Sequence, residues 1–103
     1  MPALEEWNLE TVNVTQALLG SISSNYRMIT MDHDGRGWVF SFVLDHEDAE
    51  DREEIEDFAT EWEALKDRPT PCKIVVQIEP GVLTCPSPPA RVVYRRREAF
   101  STE

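Results

Sequence analysis

Three short stretches of the chain carry residue types that do chemistry. Asp32-His33-Asp34-Gly35 sets oxygen and imidazole donors before a glycine. A helix–loop–helix calcium site needs its glycine sixth and a glutamate twelfth. In that register Thr30 falls first and Ser41 twelfth, so the calcium reading fails. Asp34-Gly35 instead suits the positive φ angles of a tight hairpin turn. His46-Glu47 opens like a zinc-protease helix, but that motif needs a second histidine four residues on, where this chain has Glu50. The third stretch, "DHEDAEDREEIEDF" at 45–58, packs nine acids around Arg52.

Acids in such number offer no singular catalytic pair. General acid–base work needs one carboxylate desolvated so that its pKa rises, and acids on an outward helix face stay wet. Glycine-rich phosphate loops, serine elbows and Cys–His pairs at a recognisable spacing are lacking, so the sequence is read as that of a non-enzyme without cofactor or metal. Cys72 and Cys85 bracket one expected strand and are read as plain thiols, too few for a disulfide framework. "RRR" at 95–97, after Tyr94, is the one basic cluster. A small RNA-binding factor using Arg95–Arg97 is one alternative reading, and an acidic regulatory, partner-binding protein unrelated to toxins is another.

The elements that must position these residues follow from periodicity. Leu9, Val12, Val14, Leu18, Leu19 and Ile22 are spaced roughly as on a helix, ending near Gly20. From Asn25 the period changes to that of a strand, apolar on much of both faces. After the Asp-Gly turn, "WVFSFVL" points Trp38, Phe40, Phe42 and Leu44 to one face, which demands a covering layer. The acidic stretch supplies it: Ile55, Phe58, Ala59, Trp62 and Leu65 recur at helical spacing behind Asp48, a credible N-cap. "DRPTP" at 67–71 stops the helix, and "CKIVVQIE" and "ARVVYRRRE" read as two more strands joined by a proline-rich connection. The expected fold class is α+β: a single domain over 1–103 in αββαββ order. It has one four-stranded antiparallel sheet, both helices packed on one face, and loose ends at 1–7 and 98–103.

The formal net charge of −10 is unevenly placed. Residues 45–67 hold twelve acids against Arg52 and Lys66, so the whole imbalance falls in this segment. A field of that sign repels nucleic acid and anionic membranes and speeds encounter with a basic surface. No run of about 18 apolar residues is present for a membrane span, and "MPALEEWNLE" has acids where a signal peptide needs bases. A cytoplasmic protein is the expectation. An ordinary solvated helix mixes charges of both signs at four-residue spacing. Here Glu50 precedes Glu54, Glu53 precedes Asp57, and Asp57 precedes Glu61. Each like-charge pair costs a few tenths of a kcal/mol, a cost that points to a basic partner.

"LLGSISSNYRMIT" at 18–30, "LDHEDAEDREEIEDFATEWEAL" at 44–65 and "PPARVVYRR" at 88–96 together resemble immunity proteins of bacterial contact-dependent growth inhibition and other polymorphic toxin systems. The resemblance implies a protein that binds the C-terminal toxin domain of a cognate effector, often a basic nuclease. It blocks that domain without catalysis, as a monomer in a 1:1 heterocomplex. On charge and position, the residues expected to meet the toxin are Asp45, Glu47, Glu50, Asp51, Glu53, Glu54, Asp57 and Glu61. An exposed ring among Trp7, Tyr26 and Tyr94 is expected to join them, since aromatic residues anchor tight interfaces.

Overall fold

The computed structural model describes residues 2–98. The elements run α1 (Leu4–Ala17), β1 (Tyr26–His33), β2 (Trp38–Leu44), α2 (Ala49–Ala64), β3 (Cys72–Ile78) and β4 (Arg91–Arg95). Helix α1 starts earlier than the spacing from Leu9 suggests: Leu4–Trp7 form its first turn, and Trp7 is buried. The remaining end segment, 99–103, lies outside the described residues, as does Met1.

The β1–β2 hairpin forms where Asp34-Gly35 places it. Gly35 adopts φ 90°, a conformation that favours glycine, and Asp34 Oδ1 accepts from the N–H groups of Arg36 and Gly37 at 2.8 and 2.9 Å. The apolar character of both β1 faces resolves into an irregularity at Arg27, between the Tyr26–Leu44 and Met28–Val43 pairs. The extra residue puts Tyr26, Ile29 and Met31 on the core side and turns Met28 and Thr30 to the other.

Both helices cover one face of the sheet. Trp7 of α1 meets Trp38 edge-on at 5.0 Å, while Phe58 of α2 packs between Phe40 and Phe42, each at 5.3 Å, and Trp62 adds a 5.0 Å contact to Phe40. The four large residues of β2 are thus buried by two helices rather than one.

The sheet is mixed, which corrects the expected all-antiparallel arrangement. Its strand order is β3-β2-β1-β4, with β1 antiparallel to both neighbours and β3 parallel to β2 from Trp38–Cys72 to Leu44–Ile78. The reason lies in the connection. Helix α2 returns the chain along the sheet before β3 begins, and a helical crossover joins parallel strands. Strands β3 and β4 are therefore not a hairpin: they occupy opposite edges and run the same way. The segment between them, residues 79–90, spans the sheet and brings Glu79, Val82, Leu83 and Thr84 beside Met28 and Val43 on the face away from the helices.

Candidate functional site

Helix α2 carries the acids, and its helical period sorts them. Ile55, Phe58 and Trp62 face the sheet, all at most 2% exposed. The flank toward β3 holds Arg52, Glu56 and Ala59, which share a groove with Ile74 and Val76. On the other flank, Glu50, Glu54, Asp57 and Glu61 follow at i, i+4, i+7 and i+11 as one stripe. Glu50, Asp57 and Glu61 are exposed and Glu54 half-buried, with exposed Glu53 beside them. None of the ion pairs among the described residues involves any of these five. Glu54 lies close to the Tyr26 phenol. Burial, reinforced by Asp51, Glu54 and Asp48, pushes that phenol up to about 12.

The other expected contact residues divide. Glu47 is exposed and held by Arg52 through two bonds of 2.6 and 2.7 Å, and this pairing lowers its pKa. Asp45 is half-buried beside Arg96 at 3.6 Å. Asp51 does not belong on the surface at all: it is 5% exposed. Its carboxylate accepts from Ser23 Oγ at 2.9 Å and Asn25 Nδ2 at 2.8 Å, and its N–H donates to the Asp48 cap at 3.0 Å. Asp51 pins the loop between α1 and β1 to the start of α2. The aromatic expectation is also corrected. Trp7 and Tyr26 are buried, and Tyr94 is half-buried against the core, so none offers a free ring.

The histidines, cysteines and arginines that the sequence singles out are each placed by the fold. His33 stacks edge-on against Trp38 at 5.0 Å, and His46 is exposed, its backbone clasped by the Asn25 side chain. Among the described residues no group of three or more His, Cys, Asp or Glu could hold a metal ion. Cys72 is half-buried, with its thiol pushed up by burial, and Cys85 is exposed; both are free. In the basic cluster, Arg96 donates to Ser24 O at 2.8 Å and pairs with Glu98 at 2.9 Å, while Arg95 donates to Cys85 Sγ at 3.5 Å. No described helix is long and apolar enough to cross a membrane.

Beside the acid stripe, α1 offers a second exposed surface, of apolar residues. Helix α1 buries Trp7, Glu10, Val14 and Ala17. Glu10 is the hinge to α2: its carboxylate accepts from Trp62 Nε1 at 3.0 Å and pairs with Lys66. The opposite side of α1 is apolar and exposed, with Leu9 58%, Val12 61% and Leu19 73% accessible. The signal that marks it is in the sequence: residues 11–26 contain no charge, in a chain that is 29% charged.

No curated protein matches the chain. A family model described as "MafI2 immunity protein" matches residues 11–98, a span that takes in the second half of α1, all of α2 and all four strands. The chain belongs to the MafI2 immunity protein family, and its partner is therefore a cognate toxin.

Proposed function

We propose that the chain neutralises its toxin by binding alone, with the α2 stripe laid against a basic surface of the toxin. The toxin is a nuclease domain at the C-terminus of a secreted effector of the contact-dependent type, met in the cytoplasm by one copy of this chain. The observation that carries the reading is the stripe itself. Glu50, Glu54, Asp57 and Glu61 stand at like-charge spacing and enter no described ion pair. A nuclease presents lysine and arginine to phosphate, and a row of carboxylates fixed on a rigid helix meets such a surface as a phosphate mimic. Glu53 and, at the helix start, Glu47 and Asp45 extend the row. The binding needs no chemistry from this chain.

The test is charge reversal. A variant with Glu50, Glu54, Asp57 and Glu61 changed to lysine keeps the circular dichroism of the parent, because three of the four side chains are exposed and none enters a described ion pair. It loses affinity for the purified toxin domain encoded beside this chain by about 100-fold or more. It also no longer protects RNA or DNA from that domain in vitro. Parent-like protection by the reversed protein would refute the reading.

A further inference from the structure

The two helices of the covering layer divide their exposed positions by chemistry. On α2 most exposed positions are charged. On α1 the exposed acids Glu5 and Glu6 and the amide Asn8 sit in the first turns, and from Leu9 on the exposed positions are Leu9, Val12, Thr15 and Gln16, with Leu19 and Ile22 just beyond the helix end. Leu9, Val12 and Leu19 are more than half accessible, Leu19 reaching 73%. The Thr15 hydroxyl is spent on the helix backbone, donating to Thr11 O at 2.8 Å, so even this polar position offers solvent little. Valine and threonine are poor helix formers on an exposed face, where glutamate or lysine would favour both helix and solubility. The fold does not need these side chains, since α1 reaches the core through Trp7, Val14, Ala17 and Leu18.

The two outward faces are neighbours. Trp62 and Lys66 both reach Glu10, which holds α2 against α1, and both helices lie on the same side of the sheet. The acid stripe Glu50–Glu54–Asp57–Glu61 occupies the α2 flank away from β3, hence the flank toward α1. An uncharged apolar strip bordered by carboxylates has the make-up of a protein–protein interface, with an apolar centre and a charged rim. A second copy of this chain is a poor occupant, because it would bring its own acids of the same sign to that rim.

We infer that the exposed face of α1, centred on Leu9, Val12 and Leu19, is the apolar centre of the toxin interface. Its occupant is an apolar patch of the toxin rimmed by lysine or arginine. This deepens the toxin-neutralising reading and rests on it. The strip sets how long the complex lasts, and the acids set how fast it forms.

The experiment compares Val12→Asp/Leu19→Asp and Val12→Ala/Leu19→Ala with the four-lysine α2 variant, binding each to the purified toxin domain at several salt concentrations. The aspartate pair is expected to raise the dissociation rate by about 100-fold, and the alanine pair by about 10-fold. Both should keep the parent's helical signal, and the alanine pair, which changes no charge, its salt dependence as well. The α2 variant instead lowers the association rate and flattens its salt dependence. Unchanged dissociation in both α1 variants, with the parent binding tightly, would overturn the α1 assignment and leave the acid-stripe reading standing. Absence of binding by the parent would overturn both. A parent that dimerises in sedimentation, with dimerisation lost in Leu19→Asp, would assign the strip to self-association and overturn the inference.

Discussion

At Arg27 one buried side chain reaches three parts of the chain. It forks onto Glu98 through two bonds of 2.9 Å, donates to Gly81 O at 2.7 Å, and reaches Glu79 O as well. The residue that breaks β1 register thus ties the crossing segment 79–90 and the end of β4 to the sheet. Arg27, with Arg96 beside it, holds the Glu98 carboxyl well below the usual range, at about 2. A carboxyl whose folded value lies below its unfolded value stabilises the fold at neutral pH, and this contribution is lost as pH falls from about 4.5 toward 2. Glu98→Gln should therefore melt lower than the parent near pH 7, with the gap closing near pH 2. Thermal melts at the two pH values check this, and a gap of equal size at both would show that the carboxylate charge is not what matters. The same scale shows why Asp51 was misplaced by sequence. It sits among acids of identical type, and only its partners Ser23 and Asn25, 28 and 26 positions away, make it structural.

Neighbouring positions on α2 separate the core from the exposed stripe. Phe58 is 1% exposed between Phe40 and Phe42, and truncation there leaves a cavity in the core. Phe58→Ala is expected to cost about 3–5 kcal/mol in urea unfolding, whereas Asp57→Ala, one residue earlier on the exposed stripe, should stay within about 0.5 kcal/mol of the parent. Equal losses for the two would mean that the stripe is not an outward face. This helix was legible because its apolar period is strong, and so was β2, whose alternate large residues all reach the core. The parallel pairing of β3 departs from the expected antiparallel sheet, although strand, helix and strand in succession announce it; only β1 and β2 carry a hairpin signal, at Asp34-Gly35. The exposed strip on α1 is not legible in the spacing, for a different reason. Apolar spacing alone does not tell which side of a helix the sheet lies on, and Leu9, Val12 and Leu19 fall on the far side.

For the molecule as a whole, the −10 charge gathered in one segment acts on both the free chain and the complex. Raising salt from about 10 mM to about 500 mM shortens the screening length from about 30 Å to a few ångströms. Repulsion along the α2 stripe weakens, and so does the proposed attraction to a basic toxin. The melting temperature of the free chain should rise by a few degrees over that range while toxin association slows by about 10-fold or more. Calorimetry and stopped-flow mixing measure the two, and salt-independent association would remove the electrostatic role of α2.

The crossing from β3 to β4 also bears on timing. Strand β1 ends at His33, but its second neighbour, β4, begins only at Arg91, and the Arg27 clamp closes only at Glu98. On the ribosome the acidic helix emerges while that side of β1 is still an open edge, and contacts so distant in sequence form slowly. The antidote is expected to become effective when translation has passed Glu98, not when the helix that carries its charge first appears.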